Sequence, residues 1–144
     1  MIDRKQFYIG GQWTDPSGAR AMDVMDSNTE EVFARIPEGN EADADAAVAA
    51  ARAAFEGWSQ TPPAQRADHL QKVADALKAR SDELTRVIAT EVGMPVKFTS
   101  RMQVGGPVAN WGHYAKLARE FAFEEKVGNS LVAREPVGVV VAIT

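Results

Sequence analysis

Apolar and polar positions change rhythm twice along this chain. In the opening stretch the apolar residues come in short runs broken by Gly, Pro and polar turns, which predicts strands. "KQFYIGGQW" has two β-prone runs around Gly10 and Gly11, a pair that supplies the positive φ values of a tight hairpin. Asp15 to Gly18 reads as a turn, "AMDVM" and "EEVFARI" as two more strands, and "DSNTEE" as the polar connection between them.

From Asn40 the period lengthens to that of a helix. Asn40 is a cap for a helix over 41–56, with Glu41, Asp43 and Asp45 complementing its positive end and Val48, Ala51, Phe55 and Trp58 on the inner side. Gly57 is expected to help end it. Thr61-Pro62 marks the next start. Leu70, Val73, Ala74, Leu77, Leu84, Val87 and Ile88 keep helical phase across Ser81, so one long helix or two abutting ones run to Gly93 and Pro95. A third helical region covers 96–122, packing through Val108, Trp111, Ala115, Ala118 and Ala122, and Gly105-Gly106-Pro107 breaks or kinks it.

The rhythm then changes again. Gly128-Asn129 marks a turn and "LVAREP" a strand. "VGVVVAI" is apolar on consecutive residues, the pattern of a strand covered on both faces in a parallel sheet. Such a strand needs neighbours joined by crossover helices, and its partners are expected to lie outside these residues.

Composition narrows the class. The chain has 144 residues, 45% of them apolar, a net charge of −4 and no block of like charges, which argues against nucleic-acid or anionic-membrane partners. No apolar run is long enough to span a bilayer and "MIDRKQFYIGGQW" lacks the core of a secretory signal, so cytoplasmic residence is expected. There is no Cys, hence no disulfide, thiolate metal site or thiol nucleophile in this stretch.

Taken in order, "YIGGQW", "EGNEADADAAVAAARAAFEGWSQTPPAQRADHL", "EVGMP" and "REPVGVVVAIT" resemble the amino-terminal part of the NAD(P)-dependent aldehyde dehydrogenase superfamily, from Gln6 to Thr144. The resemblance implies an α/β fold: short strands, three helical regions, then the first strand of a doubly wound parallel sheet. Residues 1–125 would begin the cofactor-binding domain, 126–136 would start the strand excursion used in subunit pairing, and 137–144 would be the first strand of the dinucleotide-binding sheet. In the family that strand leads into a Pro-Trp-Asn tripeptide, which is not among these residues, so the chain is expected to match about the first third of a subunit.

The chemistry implied for the intact enzyme is oxidation of a small aldehyde through a cysteine thiohemiacetal, hydride transfer to NAD or NADP, and thioester hydrolysis, in a homo-oligomer. The family's Cys, general-base Glu and oxyanion-stabilising Asn fall beyond the equivalent of Thr144. Without a nucleophile the chain alone is expected to be inactive. The different-class alternative is a free-standing interaction protein that pairs with a full-length subunit through Leu131 to Glu135.

Individual residues follow from the same resemblance. Ile143 and Thr144 match the strand end that meets the nucleotide, and Met102 and Gly106, one helical turn apart, match the helix that lines the substrate entrance. Glu91 is informative by itself: it continues the stripe of Leu84 and Val87 into the last helical turn, where the macrodipole disfavours an anion, so compensation and at least partial burial are expected. The family implies a structural monovalent cation held by Glu91 and a backbone carbonyl near Met25; an Arg or Lys partner, or solvent, is the alternative. His69 and His113 sit beside apolar stripes without metal-ligand spacing and read as surface histidines. One departure stands out: where the family commonly has Asn-Pro-x-Thr-Gly-Glu, this chain has Asp26, Ser27, Asn28, Thr29, Glu30 and Glu31.

Overall fold

A computed structural model describes residues 1–143. Thr144 lies outside the described residues. The chain forms two compact units, one of Met1–Trp58 with Thr90–Gly93 and the residues after Val137, the other of Ser59–Ala89 with Met94–Val137.

The first unit holds five short strands: β1 (Ile2–Asp3), β2 (Phe7–Ile9), β3 (Gln12–Thr14), β4 (Ala21–Met25) and β5 (Val32–Pro37). β2 and β3 pair antiparallel with Tyr8 opposite Trp13, and Gly10 and Gly11 take φ of 61° and 82° in the turn. The other three form a sheet in the order β1-β5-β4, with β1 parallel and β4 antiparallel to β5. The two-residue β1, too short to show an alternation, is the strand of this unit that the sequence did not disclose. Helix α1 (Glu41–Ser59) begins in a reciprocal cap. Asp43 N–H donates to Asn40 Oδ1 at 3.2 Å and Asn40 N–H donates to Asp43 Oδ2 at 3.0 Å, a capping box with Asp in place of Glu. Ser17 joins it, its N–H on Asp43 Oδ1 at 2.8 Å and its hydroxyl on Asn40 Oδ1 at 2.8 Å. Gly57 does not end α1, and of the expected inner face Val48 and Phe55 are half-buried while Ala51 and Trp58 stay exposed.

The second unit carries α2 (Pro63–Ala79), most of α3 (Ser81–Val92), α4 (Val96–Phe98), a π-helix over Thr99–Gly105 and α5 (Gly106–Glu120). The long stripe thus belongs to two abutting helices. The break falls at Arg80, whose N–H turns back to Leu77 O at 3.2 Å while the Ser81 hydroxyl donates to Lys78 O at 2.7 Å. Gly105-Gly106-Pro107 does not break the third region; the chain widens into π winding there and resumes as α5 with Pro107 in its first turn.

After α5, β6 (Glu124–Val127) and β7 (Ser130–Ala133) make an antiparallel hairpin whose turn holds Gly128 at φ 60°. β6 carries only one apolar residue and gave no strand signal. Its root is fixed by Arg134, which donates from its backbone N–H to Phe123 O at 2.9 Å and from its guanidinium to Ala122 O at 3.0 Å, and lies over the Phe121 ring. Arg66 of α2 covers the neighbouring Phe123 ring at 4.8 Å.

Residues 137–143 take no strand conformation by themselves; the strand expected for "VGVVVAI" was one whose partners lie outside these residues. A strand exists only by its ladder, and the described residues offer this segment none. Val137 is 96% and Ile143 93% exposed. No helix of the described residues is long and apolar enough to cross a membrane.

Burial is confined to small side chains: Ala34, Ala67, Ala74, Ala89, Val104, Ala115, Thr85 and Thr99. Two separate globules sharing the 15.6 kDa mass equally would expose about 8,700 Å² by the usual scaling of area with mass. This chain exposes 11047 Å². Fully buried Ala67 and Ala115 bring α2 and α5 together, and the Asp68–Arg119 ion pair joins the same helices. Ala67→Leu should therefore cost about 1–3 kcal/mol through overpacking, read as a lower urea midpoint of the helical unit; an unchanged midpoint would show that the two helices do not meet at this position.

Candidate functional site

The residues singled out in the sequence fall into three places. The first is the junction of the β4–β5 turn with the end of α3. Helix α3 leaves its last carbonyls without intrahelical donors. Ser27 supplies two: its N–H donates to Thr90 O at 2.9 Å and its hydroxyl to Glu91 O. Gly93, at φ 72°, ends the helix there, and a Cβ at that position would lie 3.1 Å from Ser27 Cβ. The turn holds itself by Glu30 N–H on Asp26 O at 2.8 Å, Asp26 N–H on Glu31 O at 2.8 Å, and Asn28 N–H on Asp26 Oδ1 at 2.8 Å. That last bond is the main reason the Asp26 carboxyl lies below its ordinary value. Ser27 thus carries the chain just after Met25 onto the backbone of Glu91, where β4 also shifts register between Val24 and Met25.

Glu91 itself departs from expectation. Its side chain is exposed, with no hydrogen bond or ion pair among the described residues. Cover along α3 ends at Ala89 and Thr90, and Glu91 and Val92 are exposed, so solvent compensates the carboxylate. Among the described residues no three His, Cys, Asp or Glu cluster as a metal centre would require.

The second place is the wide helix. Met102 lies on the π-helix and is 60% exposed, and Gly106 opens α5, where a Cβ would have no atom within 4 Å apart from its chain neighbours and its own helix backbone. Sequence reading found these two positions but not the π winding between them, nor Thr99, the largest fully buried side chain, whose hydroxyl donates to Met94 O at 3.2 Å and to Pro95 O at 3.3 Å. The signal was present as consecutive glycines before a proline within an otherwise helical pattern.

The third is the chain end. Ile143 is exposed, so the described residues build no wall around a nucleotide at this point, and Thr144 lies outside them. His69 and His113 are both on the surface, the latter edge-on to Tyr114 at 5.8 Å. A shallow cleft of about 350 Å³ between Asp3, Arg4, Lys5, Gln6 and Trp13 includes none of the expected residues.

This order of strands, capped helices and apolar chain end has close counterparts. The sequence model of the aldehyde dehydrogenase family matches residues 13–144. The chain belongs to the aldehyde dehydrogenase family. It is 40% identical to a 3-succinoylsemialdehyde-pyridine dehydrogenase of a Pseudomonas species over 100% of its own length and 30% of the relative's. It is 35% identical to the geranial dehydrogenase of Castellaniella defragrans, covering 99% of this chain and 31% of that one. Among solved structures, the Mycobacterium tuberculosis aldehyde dehydrogenase complexed with NAD+ superposes with a TM-score of 0.89 at 34% identity, over 94% of this chain and 29% of that one. An aldehyde dehydrogenase C mutant from Pseudomonas syringae, in complex with NAD+ and octanal, gives 0.85 at 35% identity, over 88% and 26%. The chain therefore spans about 30% of the length of the curated relatives it matches.

The turn that departs from the family's pattern has a physical cost. Glu30 stands where the common pattern has Gly and adopts φ 59°, the left-handed region that a Cβ disfavours by roughly 1–2 kcal/mol. Glu30→Gly should raise stability by about 0.5–1 kcal/mol after the added backbone entropy of Gly is subtracted, visible as a higher urea midpoint. A lower midpoint would mean that the Glu30 side chain stabilises the turn.

Proposed function

We propose that this chain is the amino-terminal part of the cofactor-binding domain of an NAD(P)-dependent aldehyde dehydrogenase, and that the intact enzyme oxidises an aldehyde to a carboxylic acid. The observation that carries the reading is the exposure of Val137, Val139, Val140, Val141 and Ile143, a two-faced apolar segment made to be covered. Matches over 94% and 100% of this chain to relatives of which it covers under a third support it. The boundaries at 125/126 and 136/137 belong to the same reading.

Within it, Ile143 and Thr144 stand at the mouth of the nucleotide site, and Met102 and Gly106 line the substrate entrance. A bound nicotinamide supplies hydride acceptance. The described residues do not enclose that site, so their part is to shape the approach to it. Two relatives, by their names and ligands, handle apolar aldehydes, geranial and octanal, which suits an entrance lined by a Met and a Gly. The exposed β6–β7 hairpin is the segment that pairs subunits in a homo-oligomer, and the enzyme is cytoplasmic. The Ser27 clip brings the backbone of Glu91 against the chain that follows Met25, which supports a structural monovalent cation held by Glu91 and a backbone carbonyl near Met25.

The chain has no Cys, so it offers no thiol for capture of an aldehyde as a thiohemiacetal. NADH formation with octanal or acetaldehyde is expected from the full-length protein and not from a pure preparation of the 144-residue chain. Turnover by the chain alone that a substitution within it abolishes, or none by the full-length protein, would contradict the reading.

A further inference from the structure

Thr99 and Val104 are both buried, at 0% and 4% exposure, although they are five residues apart. At 3.6 residues per turn such positions point about 140° apart and cannot share one buried face. The π-helix over Thr99–Gly105 resolves this, because bonding five residues back widens the winding and returns Val104 to the side of Thr99. The extra residue also carries Met102 further round from the buried face than α winding would. Met102 is accordingly exposed, one turn before Gly106 and its open space.

Two features hold the wide turn. The Thr99 hydroxyl bonds the carbonyls of Met94 and Pro95, while its backbone N–H donates to Pro95 O at 3.0 Å, so the start of the π-helix is tied to the preceding turn. At the other end a Cβ on Gly105 would lie 3.3 Å from the Ser100 carbonyl oxygen, closer than ordinary contact, so glycine lets the widened backbone close.

We propose that this π-helical turn is a specificity device: it keeps Thr99 and Val104 in the core while holding Met102 out at the aldehyde entrance, so that Met102 and Gly106 accept an apolar chain. Thr99 is a positioning residue; it touches no substrate. The inference rests on the entrance assignment of Met102 and Gly106 made above. Winding of this kind persists against regular α-helix only where the surrounding structure requires it, and such turns concentrate at functional sites.

Deleting the exposed Gln103 restores α winding while leaving the flanking helices in phase. It should turn Met102 toward the core. The absence of Cys makes this directly readable in the 144-residue chain, where Met102→Cys is the single thiol. Labelling of that thiol by a maleimide should slow about tenfold on deletion of Gln103. In the full-length enzyme the deletion should lower the kcat/KM ratio of octanal to acetaldehyde about tenfold, with kcat for acetaldehyde within about threefold of the parent. These changes correspond to roughly 1.4 kcal/mol of discrimination. Thr99→Val, which exchanges the hydroxyl for a methyl group of similar size, should shift the same ratio in the same direction if the deletion variant fails to fold. An unchanged ratio in a folded variant, or unchanged labelling, would overturn the inference alone. No turnover of any aldehyde by the parent would overturn the functional reading and this inference with it.

Discussion

An apolar segment with side chains on both faces calls for cover on both, and the described residues leave most of Val137 to Ile143 without it. Burying a side chain such as Val or Ile is worth about 1.5–3 kcal/mol. Here Val137, Val140, Val141 and Ile143 are exposed, as are Trp58, Phe98 and Leu131, and the fully buried residues are alanines and threonine. Alanine at Ala67 and Ala115 lets helices approach closely but removes little apolar area from water. What holds the visible structure is therefore largely local: reciprocal caps, a hairpin turn, the Ser27 clip and the Arg134 root of the β6–β7 hairpin.

Local determinants are also what the sequence disclosed. Gly10-Gly11 announced its hairpin because only positive φ closes so tight a turn, and Asn40 announced its helix because its side chain accepts the orphan Asp43 N–H. Features that depend on distant partners were less legible. "VGVVVAI" has the composition of a central strand, yet a strand is defined by neighbours, and without them the segment has no ladder. β6 was hidden because "EEKV" is charged and its pairing arises from the turn and Arg134 rather than from alternation. The same holds for Glu91, where the helical period foretold burial while the end of α3 runs out of cover.

The candidate site shows a related division. Met102 and Gly106 were singled out through the family resemblance, but the π-helix that runs up to Gly106 was not legible, because a 3.6-residue template cannot register a single inserted residue. Thr99 escaped notice as a lone polar residue in a helical stretch, though its hydroxyl ties down the start of that turn. At the β4–β5 turn, Glu30 holds the left-handed conformation without the glycine that makes it inexpensive, while Ser27 keeps the turn fastened to the end of α3. These residues contain no thiol, so a step that needs one is not theirs to supply.

The most direct test is amide hydrogen exchange across Val137–Ile143, measured in the 144-residue chain at a concentration where light scattering shows a monomer, and in the full-length enzyme. Unprotected amides in the chain, slowed by roughly a thousandfold or more in the enzyme, are the expected result for a strand whose ladder is supplied by the rest of the subunit. Strong protection of the same amides in the monomeric chain would contradict it, since the segment would then be completing a sheet of its own.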